Sequence, residues 1–506
     1  MFRLYVCAIV LFGVATSAAQ AQTVFYVDAD ATSPSYDGAS WCTAFKYLQD
    51  ALAVATASDE IRMADGVYLA DKSTCVIDDD CGDASDTCVA GLCQWQSPRE
   101  QSFDLIDGVA IRGGYAGCGA PDPDERDLKL HETILSGDLN GDDHLRGDNS
   151  ENTYRIINAQ DLGDTTVLDG LTVTGANANG FLPANLGGGM LNDASSPVIT
   201  NCAFIDNTAV FAGGALYNRK GSNPEITGCR FLNNLAPFGA AIRNYASAPV
   251  VTDCTFTGNS AENRGAGVYN TDSSDTHLIN CFFSENEAFD GAAVYNELSS
   301  LTLSNCTITD NHAAFVGGVL SYNASPTIEN CILWGNSDKT GTGEAAQVKV
   351  DVGTLTIGHS CVQGWTGTLG GAGNHGDDPL FVPGPLGCYY LSQTVAGQLD
   401  DSPCVDAGSD DAATLGFDTV TTRGDEAVDT GTVDMGYHYA VTGDPLNLGD
   451  FDSSGTVNLF DFAQLQLCFT GEDAPNDNPC VRKFDFDCDA DVDLEDYAAF
   501  QAYFQD

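Results

Sequence analysis

Residues 187–218 read GGGMLNDASSPVITNCAFIDNTAVFAGGALYN, a stretch that begins and ends on the same motif. The glycine-led start returns as GGALYN from Gly213, GAAIRN from Gly239, GAGVYN from Gly265, GAAVYN from Gly291 and GGVLSY from Gly317, so its first glycine recurs every 26 residues. Between these lies a second motif, NCAFIDN (201–207), repeated as GCRFLNN (228–234), DCTFTGN (253–259), NCFFSEN (280–286), NCTITDN (305–311) and NCILWGN (330–336). Self-similarity at a fixed period of this length marks a solenoid, whose units bury their apolar faces only against one another.

Each motif reads with a period of two. In the glycine motif the second position is only Gly or Ala, and the fourth is Met190, Leu216, Ile242, Val268, Val294 and Leu320. On a strand these positions share a face, which predicts one small and one large inward side chain per turn. In the second motif Cys202 and Phe204, and their equivalents, share a face in the same way. Strands this short need stacking at about 4.8 Å to be stable, and identical positions then form ladders. The column Asn207, Asn234, Asn259, Asn286, Asn311 and Asn336 suits turns, and stacked amides hydrogen-bond along the axis. The Gly, Thr, Asn and β-branched content excludes a helical solenoid. The expected fold class is therefore all-β, a parallel β-helix.

The flanks extend this plan. Residues 1–21 combine a short positive start, an apolar run over 4–15 and small residues at Ala19 and Ala21, the pattern of a cleaved signal peptide and hence of a secreted chain. Residues 22–160 read as an N-terminal cap and first coils, with one amphipathic capping helix expected over 41–57 and a Cys-rich insertion at 73–95. Regular repeats fill 161–376, and 377–443 close the solenoid. Residues 444–506 form a separate C-terminal unit.

The chain carries 72 acidic against 20 basic residues, a net charge of −52. Such a field repels nucleic acid and anionic membrane surfaces, so neither is an expected partner, and no later apolar stretch is long enough for an integral membrane span. Calcium is the natural counter-charge outside the cell. Of 19 cysteines, Cys7 lies in the leader. Cys75, Cys81, Cys88 and Cys93 read as a stapled loop, and Cys42 with Cys118, Cys388 with Cys404, and Cys468 with Cys480 are plausible pairs, with connectivity left open. The repeated cysteine column reads as buried thiols, because parallel in-register Cβ vectors disfavour the disulfide torsion.

The paired motifs resemble the FxxN and GGA repeats of chlamydial polymorphic outer-membrane proteins and other secreted bacterial right-handed β-helix proteins. The resemblance spans about residues 165–365 and implies a right-handed, pectin-lyase-like solenoid. The stretch TVFYVDADATSPSYDGASWCTAFKYLQDALAVA (23–55) resembles the opening of such proteins, and DDPLFVPGPLGCYYL (377–391) through VDMGYHY (433–439) resembles a closing segment that precedes an attachment module.

That module is a duplication. GDFDSSGTVNLFDFAQLQLCF (449–469) and KFDFDCDADVDLEDYAAFQAYF (483–504) each offer oxygen ligands at EF-hand-like loop positions. In the first these are Asp450, Asp452, Ser454, Thr456 through its carbonyl, Asn458 and Asp461; in the second, Asp485, Asp487, Asp489, Asp491 through its carbonyl, Asp493 and Asp496. With an apolar helix after each loop, they resemble type I dockerins, which implies a small α-helical domain with calcium as cofactor and a cohesin-like partner. Two departures stand against a standard cohesin: Ala490 replaces the turn glycine, and Leu459-Phe460 and Leu494-Glu495 occupy the positions dockerins use for recognition.

Outside the module the chemistry is sparse. Position 5 of the glycine motif reads Leu191, Tyr217, Arg243, Tyr269, Tyr295 and Ser321, a stripe facing away from the core. Tyr217, Arg243, Tyr269 and Tyr295 are therefore candidate glycan-binding residues, against the plainer reading that the rings stack on their neighbours. Asp206, Glu285 and Asp310 could suggest a carboxylate column, but Asn233 and Gly258 interrupt it in the manner of turn residues. No catalytic residue is assigned. Residues 136–152 resemble a fragment of a calcium loop through Asp138, Asn140 and Asp142, and are read as a polar turn. The expected function is adhesion or glycan binding by an exported β-helix displayed through its calcium module. The alternatives are a polysaccharide lyase or glycoside hydrolase and a structural surface-layer component.

Overall fold

The computed structural model describes residues 22–32, 36–70, 87–89, 92–94, 98–143 and 149–442, with isolated positions 462, 465, 466, 492 and 497. The leader and all twelve expected calcium ligands of 444–506 lie outside the described residues.

One coil shows the plan. Met190–Asp193, Val198–Thr200 and Ala203–Ile205 are three short strands, and Leu216–Arg219 opens the next coil directly over Met190–Asp193. Among the described residues this stacks into three long sheets of 11, 10 and 9 strands. The first runs from Val24–Val27 to Thr356–Gly358, the second from Gly66–Leu69 to Cys361–Val362, and the third from Phe103–Asp104 to Val348–Asp351. Neighbours pair in parallel, as Phe204 with Phe231 and Phe231 with Phe256. The expected all-β parallel β-helix is what forms.

The corners explain the polar columns. Asp206, Asn233, Gly258, Glu285, Asp310 and Gly335 all turn with φ between 53° and 70°. Left-handed backbone favours Gly, Asn and Asp, so this column is selected by conformation rather than by charge.

The interior is a set of ladders. Phe204, Phe231, Phe256 and Phe283 stack with ring centroids 5.3, 4.8 and 4.4 Å apart and planes within 6° of parallel. The cysteine column is buried as free thiols, as expected. The Cys202 N–H points at Cys229 Sγ (3.4 Å), and the Cys202 thiol donates to the Thr200 carbonyl (3.2 Å). The Asn207 column hydrogen-bonds coil to coil, from Asn207 Nδ2 to Asn234 Oδ1 (3.2 Å) through Asn311 to Asn336 (2.8 Å), and ends on Gln347 Oε1 (2.7 Å). A second amide ladder, at the sixth position of the glycine motif, joins Asn192, Asn218, Asn244 and Asn270 at 2.8 Å per step. Each rung satisfies amide groups that burial would otherwise leave costly.

Three expectations need correction. The 26-residue register slips in the sixth repeat: Val294 pairs with Val319, and Tyr295 with Leu320, so Val319 takes the inward column and Leu320 the outward one. Val316, not Gly317, occupies the place of Gly291 there. Secondly, the small residue at position 2 does not share the core of position 4. Ala240, Ala266 and Ala292 belong to a separate alanine-lined seam, while Ala241 and Ala293 at position 3 join Ile242 and Val294 in the main core. The glycine motif spans a turn (Gly239 φ 61°, Gly265 φ 60°), across which a period-2 count does not carry. Thirdly, the capping helix is only Leu48–Leu52, with Leu48, Ala51 and Leu52 buried, while Trp41–Thr43 is a 3-10 turn. The Cys42–Cys118 disulfide, one of the anticipated pairs, holds that turn.

The remaining cysteines divide. Thr87–Val89 pairs antiparallel with Leu92–Gln94, setting Cys88 opposite Cys93, and Cys88 is disulfide-bonded. Cys75, Cys81, Cys468 and Cys480 lie outside the described residues. Cys388 is disulfide-bonded, but Cys404 is a free buried thiol, so the anticipated Cys388–Cys404 pair is not formed. Among the described residues no helix is long and apolar enough to cross a membrane.

Candidate functional site

Strand Thr133–Ser136 of the second sheet leaves the solenoid in a loop that returns through the 3-10 turn Asn149–Glu151. Asp138 organises its start: Oδ1 accepts the Gly141 N–H (2.7 Å) and Oδ2 the Asp143 N–H (3.1 Å). Asn140 Oδ1 accepts the Asp142 N–H (3.2 Å). At its end, buried Asn152 donates from Nδ2 to Asp143 Oδ2 (2.6 Å) and to the Gly175 carbonyl (2.7 Å) of the following coil. The polar turn read from sequence is therefore present, and it is pinned at both ends.

Pinning brings four carboxylates together. One oxygen each from Asp138, Asp142, Asp143 and Glu151 lie within 4.8 Å of one another. Burial raises the Asp143 and Glu151 carboxyls above their usual range, and neighbouring Asp142 and Asp138 push them further the same way. Asp142 Oδ1, Glu151 Oε1 and Asn152 Oδ1 are buried without a hydrogen-bond partner. Oxygens bound to one calcium at about 2.4 Å lie within about 4.8 Å of one another, so this hard, oxygen-only donor set fits a calcium ion. The group opens on a cleft of about 800 Å³, floored by Val67, Leu69, Ile134 and Thr174 of the second sheet and reached by Asp206. The Asp206 carboxyl is also raised, first by burial and further by Asp143, with Asn233 opposing.

A family model described as a right handed beta helix region matches residues 148–283 and 253–362. Over those residues the chain is similar to right-handed β-helix proteins, and its stacked sheets form a parallel β-helix. Among solved structures, pectate lyase Pel9A aligns at 10% identity over 81% of this chain and 96% of its own, with a TM-score of 0.41. A rhamnogalacturonan lyase aligns at 12% over 67% and 87%, TM-score 0.35. Pectin methylesterase PemA from Erwinia chrysanthemi aligns at 13% over 69% and 91%, TM-score 0.25. No curated protein matches the chain. Likenesses this slight carry no argument about this chain.

On this β-helix the Tyr/Arg stripe is in register, Tyr217 beside Arg243, Arg243 beside Tyr269, Tyr269 beside Tyr295, but it is not an open platform. These four residues are only 7, 9, 5 and 3% exposed. Leu186, Ala212, Phe238 and Val316, from the segments leading into each glycine motif, pack over them. The Arg243 guanidinium lies 3.9 Å over the Tyr269 ring and donates to the Asn244 and Tyr269 carbonyls (3.0 and 3.2 Å). The Tyr269 hydroxyl donates to Glu297 Oε2 (2.8 Å), which also pairs with Arg264. The stripe is a buried stack, as the plainer reading had it. Among the described residues the exposed rings include Phe211, Phe289 and Phe315, and also Tyr245 and Tyr322 at the ends of third-sheet strands.

Sequence reading named Asp138, Asn140 and Asp142 but missed Asp143, Glu151 and Asn152. The signal was the acidic density of 136–152; what closes the group is the return of the loop onto Gly175, which spacing does not encode. Glu285 and Asp310 stand at later corners, where the Tyr389 hydroxyl donates to Asp310 Oδ2 (3.1 Å).

Proposed function

We propose that this protein is an exported β-helix that binds polysaccharide in the cleft beside Asp138, Asp142, Asp143 and Glu151, using a calcium ion held there to meet sugar oxygens or uronate carboxylates. The observation that carries this reading is the convergence of four carboxylate oxygens within 4.8 Å, with buried unpartnered oxygens beside them. The calcium would also answer the charge problem, because a chain of net charge −52 needs a bridging cation to approach an acidic glycan. On this reading residues 444–506 act as a dockerin-like calcium module that attaches the solenoid to a surface or complex, with a cohesin-like module as its candidate partner. Calorimetry of the full chain against a polysaccharide panel, with calcium and with chelator, tests the proposal. Binding that requires calcium and is lost in Asp142→Asn supports it; binding indifferent to both contradicts it.

One observation favours a second reading, a polysaccharide-cleaving enzyme. Asp143 and Asp206 share the cleft and both are held above the usual carboxyl range, the condition for a general acid. Release of reducing or unsaturated ends from the same panel would establish that reading in place of simple binding.

A further inference from the structure

The cysteine ladder of the second sheet ends one coil before the sheet does. The Cys331 N–H donates to Ser360 Oγ (3.1 Å), so Ser360 takes the next rung. Cys361 is one residue further on, in register with Ile332 and therefore on the opposite side of the sheet from the thiol column. There it meets the closing segment, packed with Ile332, Leu391, Cys404 and Met435. Cys404 is a fully buried free thiol. His375 pairs with Cys361 through a parallel bridge. Three parts of the chain thus deliver two sulfurs and an imidazole nitrogen to one place, all within 4.8 Å of one another.

The imidazole is incompletely used. Nδ1 accepts the Asp377 N–H at 3.4 Å, whereas Nε2 is buried with no hydrogen-bond partner. The Cys361 thiol donates to the Asp377 carbonyl (3.2 Å), a bond that metal ligation would replace, whereas a ladder thiol such as Cys229 donates to the carbonyl two residues before it (Thr227, 3.5 Å) and Cys254 Sγ accepts the Cys229 N–H (3.3 Å).

We propose that Cys361, His375 and Cys404 form a metal site for a zinc-class ion, bound by two thiolates and one imidazole, that clasps the closing segment to the last coil. Sulfur and imidazole donors select borderline and soft ions over calcium, which sets this site apart from the acidic cleft. Zinc bonds of about 2.3 Å to sulfur and about 2.0 Å to nitrogen require only a modest contraction of the present spacing. Binding releases the two thiol protons to solvent. Ligation of the neutral ring through Nε2 puts its proton on Nδ1, so the Asp377 N–H contact there is given up and the Asp377 carboxylate, 3.8 Å from Nδ1, becomes the group that faces the proton. Three protein ligands leave a fourth position for water or a small solvent-borne ligand, on the side where the His375 ring is 20% exposed.

The test is cobalt substitution of the full chain, purified under reducing conditions and stripped with chelator. The expected result is a near-ultraviolet thiolate-to-cobalt charge-transfer band with tetrahedral visible bands, displaced by an equivalent of zinc, and a higher melting temperature with zinc. Cys361→Ser and His375→Gln should lose the bands and the zinc-induced rise, while Cys254→Ser, which alters a ladder thiol, should keep both. His375→Gln retains both thiols, so folding failure of a cysteine variant does not blunt the test. No band in reduced wild-type protein, a band that survives in both site variants, or a Cys361–Cys404 disulfide in the protein isolated without reductant would overturn the proposal.

Discussion

The outward column of the second sheet runs Val67, Ile134, Thr172, Ala203, Arg230, Thr255, Phe282, Thr307, Ile332 and Cys361, and its two ends are treated oppositely. At the late end Phe282, Thr307, Ile332 and Cys361 are at most 8% exposed under the closing segment. Tyr389 and Tyr437 pack on Phe282 with centroids 4.9 and 5.9 Å away, and Asn280 exchanges hydrogen bonds with the His438 backbone. At the early end Val67 is 55% exposed and floors the cleft beside the acidic loop. One sheet, one register and one interior therefore serve a sealed half and an open half. Arg230 stands in the column before the cover begins, and Phe282 and Ile332 stand beneath it.

The largest expected effect lies in what the halves share. Phe256→Ala removes the middle of the ring ladder and should lower unfolding stability by about 3–5 kcal/mol. Hydrogen exchange should show protection falling in both halves; a loss confined to one would break the picture of a common interior. Next is the cover itself. Tyr389→Ala deletes the contacts with Phe282 and Asp310, and should cost about 2 kcal/mol while exposing the late sheet to proteolysis. Calcium affinity in the open half should not change.

A pH series sharpens the contrast. In the sealed half, burial and the neighbouring Asp429 raise the Asp434 carboxyl to about 6 from its ordinary 3.8. A folded-state pKa above the unfolded one means stability present in full below pH 3.8 and lost as pH rises through about 6. Asp143 and Glu151 in the open half follow the same sign, their contribution fading as pH climbs from the ordinary carboxylate range through their raised values. Calcium should abolish the loss only in the open half. Melting temperatures of wild type and Asp143→Asn across this range check it: in chelator the variant should melt higher than wild type at neutral pH, and with calcium it should lose that advantage. The smallest effect is expected at the buried stripe, where Tyr217→Phe should leave polysaccharide binding unchanged. A marked loss of binding there would return the site to the third sheet.

Much of the interior was legible because each rung repeats a residue type whose reason is local: Cys for a small buried slot, Asn for an amide rung, Gly or Asn for a left-handed corner. The same regularity misled at the sixth repeat, where Gly317 looks like Gly291 but sits one place later because that coil is a residue shorter. Periodicity also said which way Tyr217 and Arg243 face without saying that Phe238 and Leu186 would cover them. The acidic site was only partly legible and the Cys–His site not at all, for a related reason. Glu151 reaches Asp138 only because the loop folds back onto Gly175, and Cys404 reaches Cys361 only because the closing segment crosses the last coil, whereas spacing had suggested Cys388.

We propose above that the uncovered end of the second sheet holds calcium. Calorimetric calcium stoichiometry of the full chain, set against an Asp142→Asn, Asp143→Asn double variant, tests it while leaving the C-terminal loops untouched in both. The variant should bind one calcium fewer per chain, with the remaining sites unchanged. Equal stoichiometry and affinity in the two proteins would contradict it.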